Sequence, residues 1–198
     1  AFINHLLNSG VSPLFAKTDI KIPETFIIGT DEFDKFIEDN KLETLIENCR
    51  DYEEIKKRFL NSQLSEKLLE RLGMLLSKIK YPLAVRSSGV LEDSVAHSMS
   101  GLYETFFLPN NGEDFDLRLK LLCDAIKLVY ASVYSNESRE YFDAISYKIE
   151  EEKMAVVIQQ IVGKTYDDHF YPLISGVGQS YNYYPVSHME PEDGVGMI

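Results

Sequence analysis

The sequence predicts an α+β fold. Some stretches repeat apolar residues at helical spacing and others run or alternate as short strands, and the helices are segregated from the strands without steady βαβ alternation. Pro, Gly and Asn punctuate the boundaries.

Taken in order, Phe2, Ile3, Leu6 and Leu7 recur at helical spacing, and Ser9-Gly10 supplies a stop. Residues 22–28, Ile-Pro-Glu-Thr-Phe-Ile-Ile, are expected to form a proline-led strand. Thr30 and Asp31 are then expected to cap a helix that turns Phe33, Phe36 and Ile37 inward. Charged residues crowd positions 31–58, as on a solvated helical face. Leu64, Leu68, Leu72, Leu75, Leu76 and Ile79 mark an amphipathic helix over 64–80, although Gly73 costs about 1 kcal/mol relative to Ala. Lys78 and Lys80 suit its C-terminal end.

A short buried strand over 82–87 and a second over 102–108 are expected to make a hairpin-like unit around residues 88–101. Asn110-Asn-Gly112 turns the chain into a long helix marked by Phe115, Leu119, Leu122, Ile126, Val129 and Val133, and a further helical piece runs through Tyr141 and Ile145. Strands follow over 154–162 and 173–183, separated by the acidic turn Tyr166-Asp-Asp168, and the closing GVGMI begins another.

Composition limits the function. With 198 residues, 44% hydrophobic and 12% aromatic, the chain can bury a sizeable core in one large domain or two small lobes, and it is not disordered. A net charge of -12 repels polyanions, which argues against nucleic-acid or anionic-membrane partners while leaving room for one small phosphate ligand. Cys49 and Cys123 have no paired spacing, so neither a disulfide framework nor a structural zinc is expected, and the cytoplasm is the expected compartment. Apolar runs such as residues 154–158 fall far short of the roughly 20 residues that span a bilayer. The opening AFINHLLNSG has no initiator Met and no signal pattern, and the expectation is a chain cut from something longer.

The stretch AVRSSGVLEDSVAHSMSGLYETF, residues 84–106, carries the chemistry. Arg86 offers five donors in a rigid fork suited to phosphate oxygens. Ser87, Ser88, Ser98 and Ser100 add hydroxyls, and Gly89 and Gly101 let backbone N–H groups approach an anion. Glu92 and Asp93 are expected to be able to pair with Arg86 or orient it. On composition alone a structural salt bridge and an ordinary polar loop remain open.

Order and spacing narrow this. Ala84-Val-Arg-Ser-Ser88, Glu92-Asp93, Ser98-Met-Ser-Gly101 and Tyr103-Glu-Thr105 resemble the nucleotide-binding domain shared by pyruvate phosphate dikinase and phosphoenolpyruvate synthase, an ATP-grasp-type fold. Ile22-Pro-Glu-Thr-Phe26, Val156-Val-Ile-Gln-Gln-Ile-Val162 and Ser175-Gly-Val177 resemble further family segments, so the likeness covers nearly the whole chain. It implies short mixed or antiparallel sheets with helices packed against them. Residues 1–198 would be a partial ATP-binding domain, incomplete at both ends, with N-terminal strand and helices over 1–80 and nucleotide-site elements over 81–198.

The resemblance also implies roles. Arg86 would grip the ATP phosphates and stabilise charge during transfer, in a site shared with Ser87, Ser88, Glu92 and Asp93. Ser98, Met99, Ser100 and Gly101 would form a lid over the phosphates. Main-chain groups of Gln160 and Val162 would read the adenine edge while Ile161 packs on its face, with Gln159 beside them. The implied ligands are ATP and Mg2+, and the implied partner is a phosphohistidine carrier domain of the same parent chain, whose final acceptor (pyruvate, a glucan, an antibiotic) these residues do not distinguish.

Departures qualify the likeness. The family's G-G-K-G-like lysine would precede Ala1, and its metal-holding carboxylates and second arginine would follow Ile198, so the isolated chain is expected to be inactive. Tyr181 stands where relatives carry an arginine, which keeps open a non-catalytic regulatory or assembly module. His5, His97, His169 and His188 show no metal-ligand spacing and are expected to be structural or surface residues.

Overall fold

A computed structural model of the chain describes His5 and residues 20–89, 101–186 and 188–198. The expected helix around Phe2 to Leu7 and the candidates Glu92, Asp93, His97, Ser98, Met99 and Ser100 lie outside the described residues. The chain divides into two compact units, the first ending at Ile161 and the second running from Val162 to Ile198.

The first unit is built on a four-stranded sheet of β1 (Thr25–Ile28), β2 (Leu83–Gly89), β3 (Thr105–Leu108) and β4 (Met154–Gln160), in the order β1-β4-β2-β3. Every neighbouring pair is antiparallel. Helices α1 (Thr30–Asp39), α2 (Glu43–Asn48), α3 (Tyr52–Asn61) and α4 (Glu66–Lys78) separate β1 from β2, and α5 (Phe115–Ser132) and α6 (Asn136–Ala144) lie between β3 and β4. The mixed α+β class and the antiparallel pairing of β2 with β3 follow the sequence reading.

The helices bury their apolar stripe where the spacing demands. Leu68, Leu72 and Leu76 of α4 are buried, as are Phe33 and Phe36 of α1 and Leu122, Ile126 and Val129 of α5. Aromatic rings knit α1, α3 and α5 together: Phe36 lies 5.5 Å from both Phe59 and Tyr130, and Phe59 lies 5.8 Å from Tyr134. The Tyr130 hydroxyl is buried with no hydrogen-bond partner among the described residues, and burial, then Glu32 and Asp31, push its phenol pKa well above the usual value. A buried hydroxyl without a partner costs more than its absence. Tyr130→Phe is therefore expected to leave stability unchanged or raise it by about 1 kcal/mol; a urea midpoint that falls would show that the hydroxyl is used.

Two buried arginines hold loops to this core. Arg118 donates from Nε to Asn110 Oδ1 (2.9 Å) and from Nη2 to the Leu76 and Ile79 carbonyls (2.9 and 2.6 Å), so it closes the C-terminal end of α4. Arg139 donates to the carbonyls of Tyr134 (3.2 Å) and Ile46 (2.9 Å).

Several boundaries differ from expectation. Thr30 is the first helical residue and does not cap α1; the N-cap is Gly29, with no side-chain bond. Positions 31–58 form three helices, broken at Lys41 in the left-handed region (φ 53) and restarted by Asp51, whose carboxylate accepts from the Glu53 and Glu54 N–H groups. The second strand of the hairpin-like unit starts at Thr105, three residues later than expected, and β4 ends at Gln160.

The second unit is two small hairpins. β5 (Lys164–Tyr166) pairs with β6 (His169–Tyr171) across the predicted acidic turn, where Asp167 takes φ 52. β7 (Val177–Gln179) pairs with β8 (Val195–Met197). The strand expected over 173–183 thus shrinks to three residues, and Leu173 and Ile174 are 84% and 69% exposed. The strand expected at the closing GVGMI is present as β8.

Candidate nucleotide-binding face

Strand alternation divides the sheet into two faces. On β4 the buried residues are Met154, Val156 and Ile158, and on β2 their cross-strand partners are Gly89, Ser87 and Val85. That face meets the helices. The other face carries two rungs: Phe107, Ala84, Gln159 and Thr25, then Thr105, Arg86, Val157 and Ile27. Ser88 and Ala155 follow on the next rung. Ile27 and Phe107 are each 71% exposed, so this face is largely open.

Arg86 stands in the middle of it and is exposed. Among the described residues of the four strands it is the one charged side chain, and it forms no ion pair with another described residue. Thr105 is its neighbour on β3, and Val157 and Ile27 extend the rung as an apolar floor. A planar, multidentate cation beside hydroxyls and exposed aliphatic groups offers a phosphate grip next to a surface on which a flat ring can lie.

The predicted site residues separate accordingly. Arg86, Ser88 and Gln159 share the open face, with the Gln159 Nε2 donating to Thr25 Oγ1 at 3.2 Å. Ser87 and Gln160 alternate to the helix side. The Gln160 N–H donates to the Glu24 carbonyl (2.9 Å), and the Glu24 N–H goes to the Gln160 side-chain Oε1 (3.4 Å). Ile161 donates to the Pro82 carbonyl (2.9 Å), but Pro82 has no N–H to return. The ladders on both sides of β4 therefore stop here, at the carbonyls of Gln160 and Ile161. Val162 opens the second unit and is 59% exposed. Gly101 takes φ 83, a conformation that favours glycine, and a Cβ there would meet no described residue within 4 Å.

Sequence reasoning named Thr105 in a motif without giving it a role at the site, and it assigned none to Ile27, Phe107 or Glu152. Thr105 and Ile27 join Arg86 only through strand register, for which period-two alternation in 25–28 and 105–108 is the available signal. Glu104, from the same motif, serves the scaffold: its carboxylate accepts from the Tyr52 hydroxyl at 3.0 Å, and burial, then this carboxylate, raise the Tyr52 pKa.

The family model of the pyruvate phosphate dikinase AMP/ATP-binding domain matches residues 8–196. The chain belongs to this family. It is 28% identical over 179 residues to an uncharacterized phosphotransferase, YvkC, of Bacillus subtilis (strain 168), a match covering 89% of this chain and 19% of that protein. It is 23% identical over 167 residues to a phosphoenolpyruvate synthase of Aeropyrum pernix, covering 74% of this chain and 20% of that protein. The chain thus spans about a fifth of the length of these curated relatives.

Membership in the dikinase AMP/ATP-binding family supplies a nucleotide as the ligand class. Arg86, Ser88 and Thr105 fit a phosphate in kind, as donors on an open face. Among the described residues no cluster of three or more His, Cys, Asp or Glu is placed to hold a metal, and no helix is long and apolar enough to cross a membrane.

Proposed function

We propose that the open sheet face is part of an ATP site of ATP-grasp type, and that the protein containing these residues transfers a phosphoryl group from ATP to a histidine carrier domain. The observation that carries this is Arg86, the one charged side chain among the described residues of the sheet, central on an open face in a chain of net charge -12. Its guanidinium holds phosphate oxygens and stabilises the charge that spreads over them during transfer, which needs positioning and electrostatics from the protein and little covalent chemistry. Thr105 and Ser88 donate hydroxyls to the same anion. The base lies toward the end of β4, where the Gln160 carbonyl and the Val162 N–H read its edge and Ile161 packs on its face. Ser98 to Gly101 cover the phosphates, and Glu92 and Asp93 orient Arg86. Mg2+ accompanies the nucleotide in this reading, and the described residues offer no carboxylate cluster for it. Two free cysteines support a reducing, cytoplasmic setting.

Calorimetry on the protein that contains the chain tests this. ATP is expected to bind at least about tenfold tighter than adenosine, a difference of roughly 1.4 kcal/mol, and Arg86→Ala is expected to erase most of that difference. Equal affinity for ATP and adenosine in the wild type would remove the phosphate grip.

Tyr181 favours a second reading, a non-catalytic nucleotide-binding module. Its ring lies edge-on to Tyr183 at 5.0 Å, at a position where the resemblance implies an arginine. ATP binding without any phosphorylated histidine, in protein incubated with labelled ATP, would select this reading.

A further inference from the structure

We propose that Glu152 is a positioning residue for the nucleotide face, because it ties together, at one end of the sheet, the three strands that meet at Arg86. The inference rests on the nucleotide reading of that face.

Glu152 is 1% exposed and lies two residues before β4. Its Oε1 accepts a hydrogen bond from the Tyr103 hydroxyl at 3.0 Å. Tyr103 is itself buried and lies two residues before β3. The third member is Gly89, the last residue of β2, paired with Met154. A Cβ on Gly89 would overlap Glu152 Oε1 and come within 2.9 Å of Tyr103 Cε2. The absence of a side chain there is what lets carboxylate, phenol and backbone meet.

The geometry places this tie close to the site. Thr105, Arg86 and Val157 form one rung, and they belong to the strands that Tyr103, Gly89 and Glu152 respectively lead into or end. Moving any one of the three shifts a strand that flanks Arg86. The chain leading into β3 is held on its other side as well, since Glu104 accepts from Tyr52 of α3. A hydrogen bond from a phenol to a carboxyl oxygen is a directional choice for such a tie, because both groups are buried and breaking it would strand a polar atom away from water. Three strands pinned so close to one arginine supply the preorganisation that a charge-stabilising donor requires.

The test uses the protein that contains this chain, with Tyr103→Phe, which keeps the ring and its packing, and Glu152→Gln, which keeps an acceptor for the phenol. Tyr103→Phe is expected to raise KM for ATP about tenfold, as loss of one buried hydrogen bond allows. Amide exchange at Gly89 and Thr105 is expected to speed up by about the same factor while Ile27 is unmoved. Glu152→Gln is expected to do less on both counts. Faster exchange with KM unchanged, or unchanged exchange, would overturn the positioning role and leave the nucleotide reading intact. Wild-type protein that fails to bind ATP would overturn the nucleotide reading and this role with it.

Discussion

Arg86→Lys is expected to lower ATP-dependent phosphoryl transfer by about 10²-fold or more, since removing one preorganised charge-stabilising donor typically costs roughly 2.7–4 kcal/mol. Lysine keeps a positive charge at the position but loses the planar fork that holds two oxygens at once. The melting temperature is expected to stay nearly unchanged, because Arg86 is exposed and forms no ion pair with a described residue. The paired measurement is initial rate and melting temperature for wild type, Arg86→Lys and Glu92→Gln. A purely structural Arg86 reverses the pattern: stability falls in both variants and the rate drops only with the unfolded fraction. A well-folded Arg86→Lys protein keeping more than about half its rate would take Arg86 off the catalytic list.

Phe59→Ala carries the largest expected effect on folding. Phe59 is fully buried on α3, between Phe36 of α1 and Tyr134 beyond α5, so truncation opens a cavity at the junction of three elements. Large-to-small changes of this kind cost about 3–5 kcal/mol. For a chain of this size that lowers the melting temperature by roughly 6–20 °C. Ile27→Ala is the control: it also truncates a large apolar side chain, but from a residue that is 71% exposed, and the expected change is within about 0.5 kcal/mol. Comparable losses in the two variants would mean that the open face is covered in solution.

The periodicity of Leu68, Leu72 and Leu76 was legible because a helix repeats its buried stripe locally, and the burial of these residues matches the spacing. The break at Lys41 was not legible. A lysine carries no turn signal, and its left-handed backbone is held by the Lys41 and Leu42 N–H bonds to Glu38 and Ile37 carbonyls. Leu173 and Ile174 misled for a different reason: apolar sequence marks what a strand could bury, and in the second unit these side chains are exposed. At the candidate site, the motif identified Arg86 and its neighbours, but one-residue alternation decides which of Ser87 and Ser88 shares its face. Register against β3 and β4 joins residues far apart in the chain, so Thr105 and Val157 could not be assigned to Arg86 by spacing alone.

Arg118 and Arg139 give the molecule an unusual relation to ionic strength. Both are buried, and their guanidinium groups donate to neutral oxygens, chiefly main-chain carbonyls at helix ends and loops. Bonds of this kind inside the protein lie beyond the reach of mobile counter-ions. Lys80–Glu113 and Lys153–Asp34, by contrast, are solvent-exposed pairs whose contribution is small at any salt concentration. Against them stands the mutual repulsion of a chain with net charge -12, which dissolved ions weaken. Salt therefore has something to relieve in this fold and little to break.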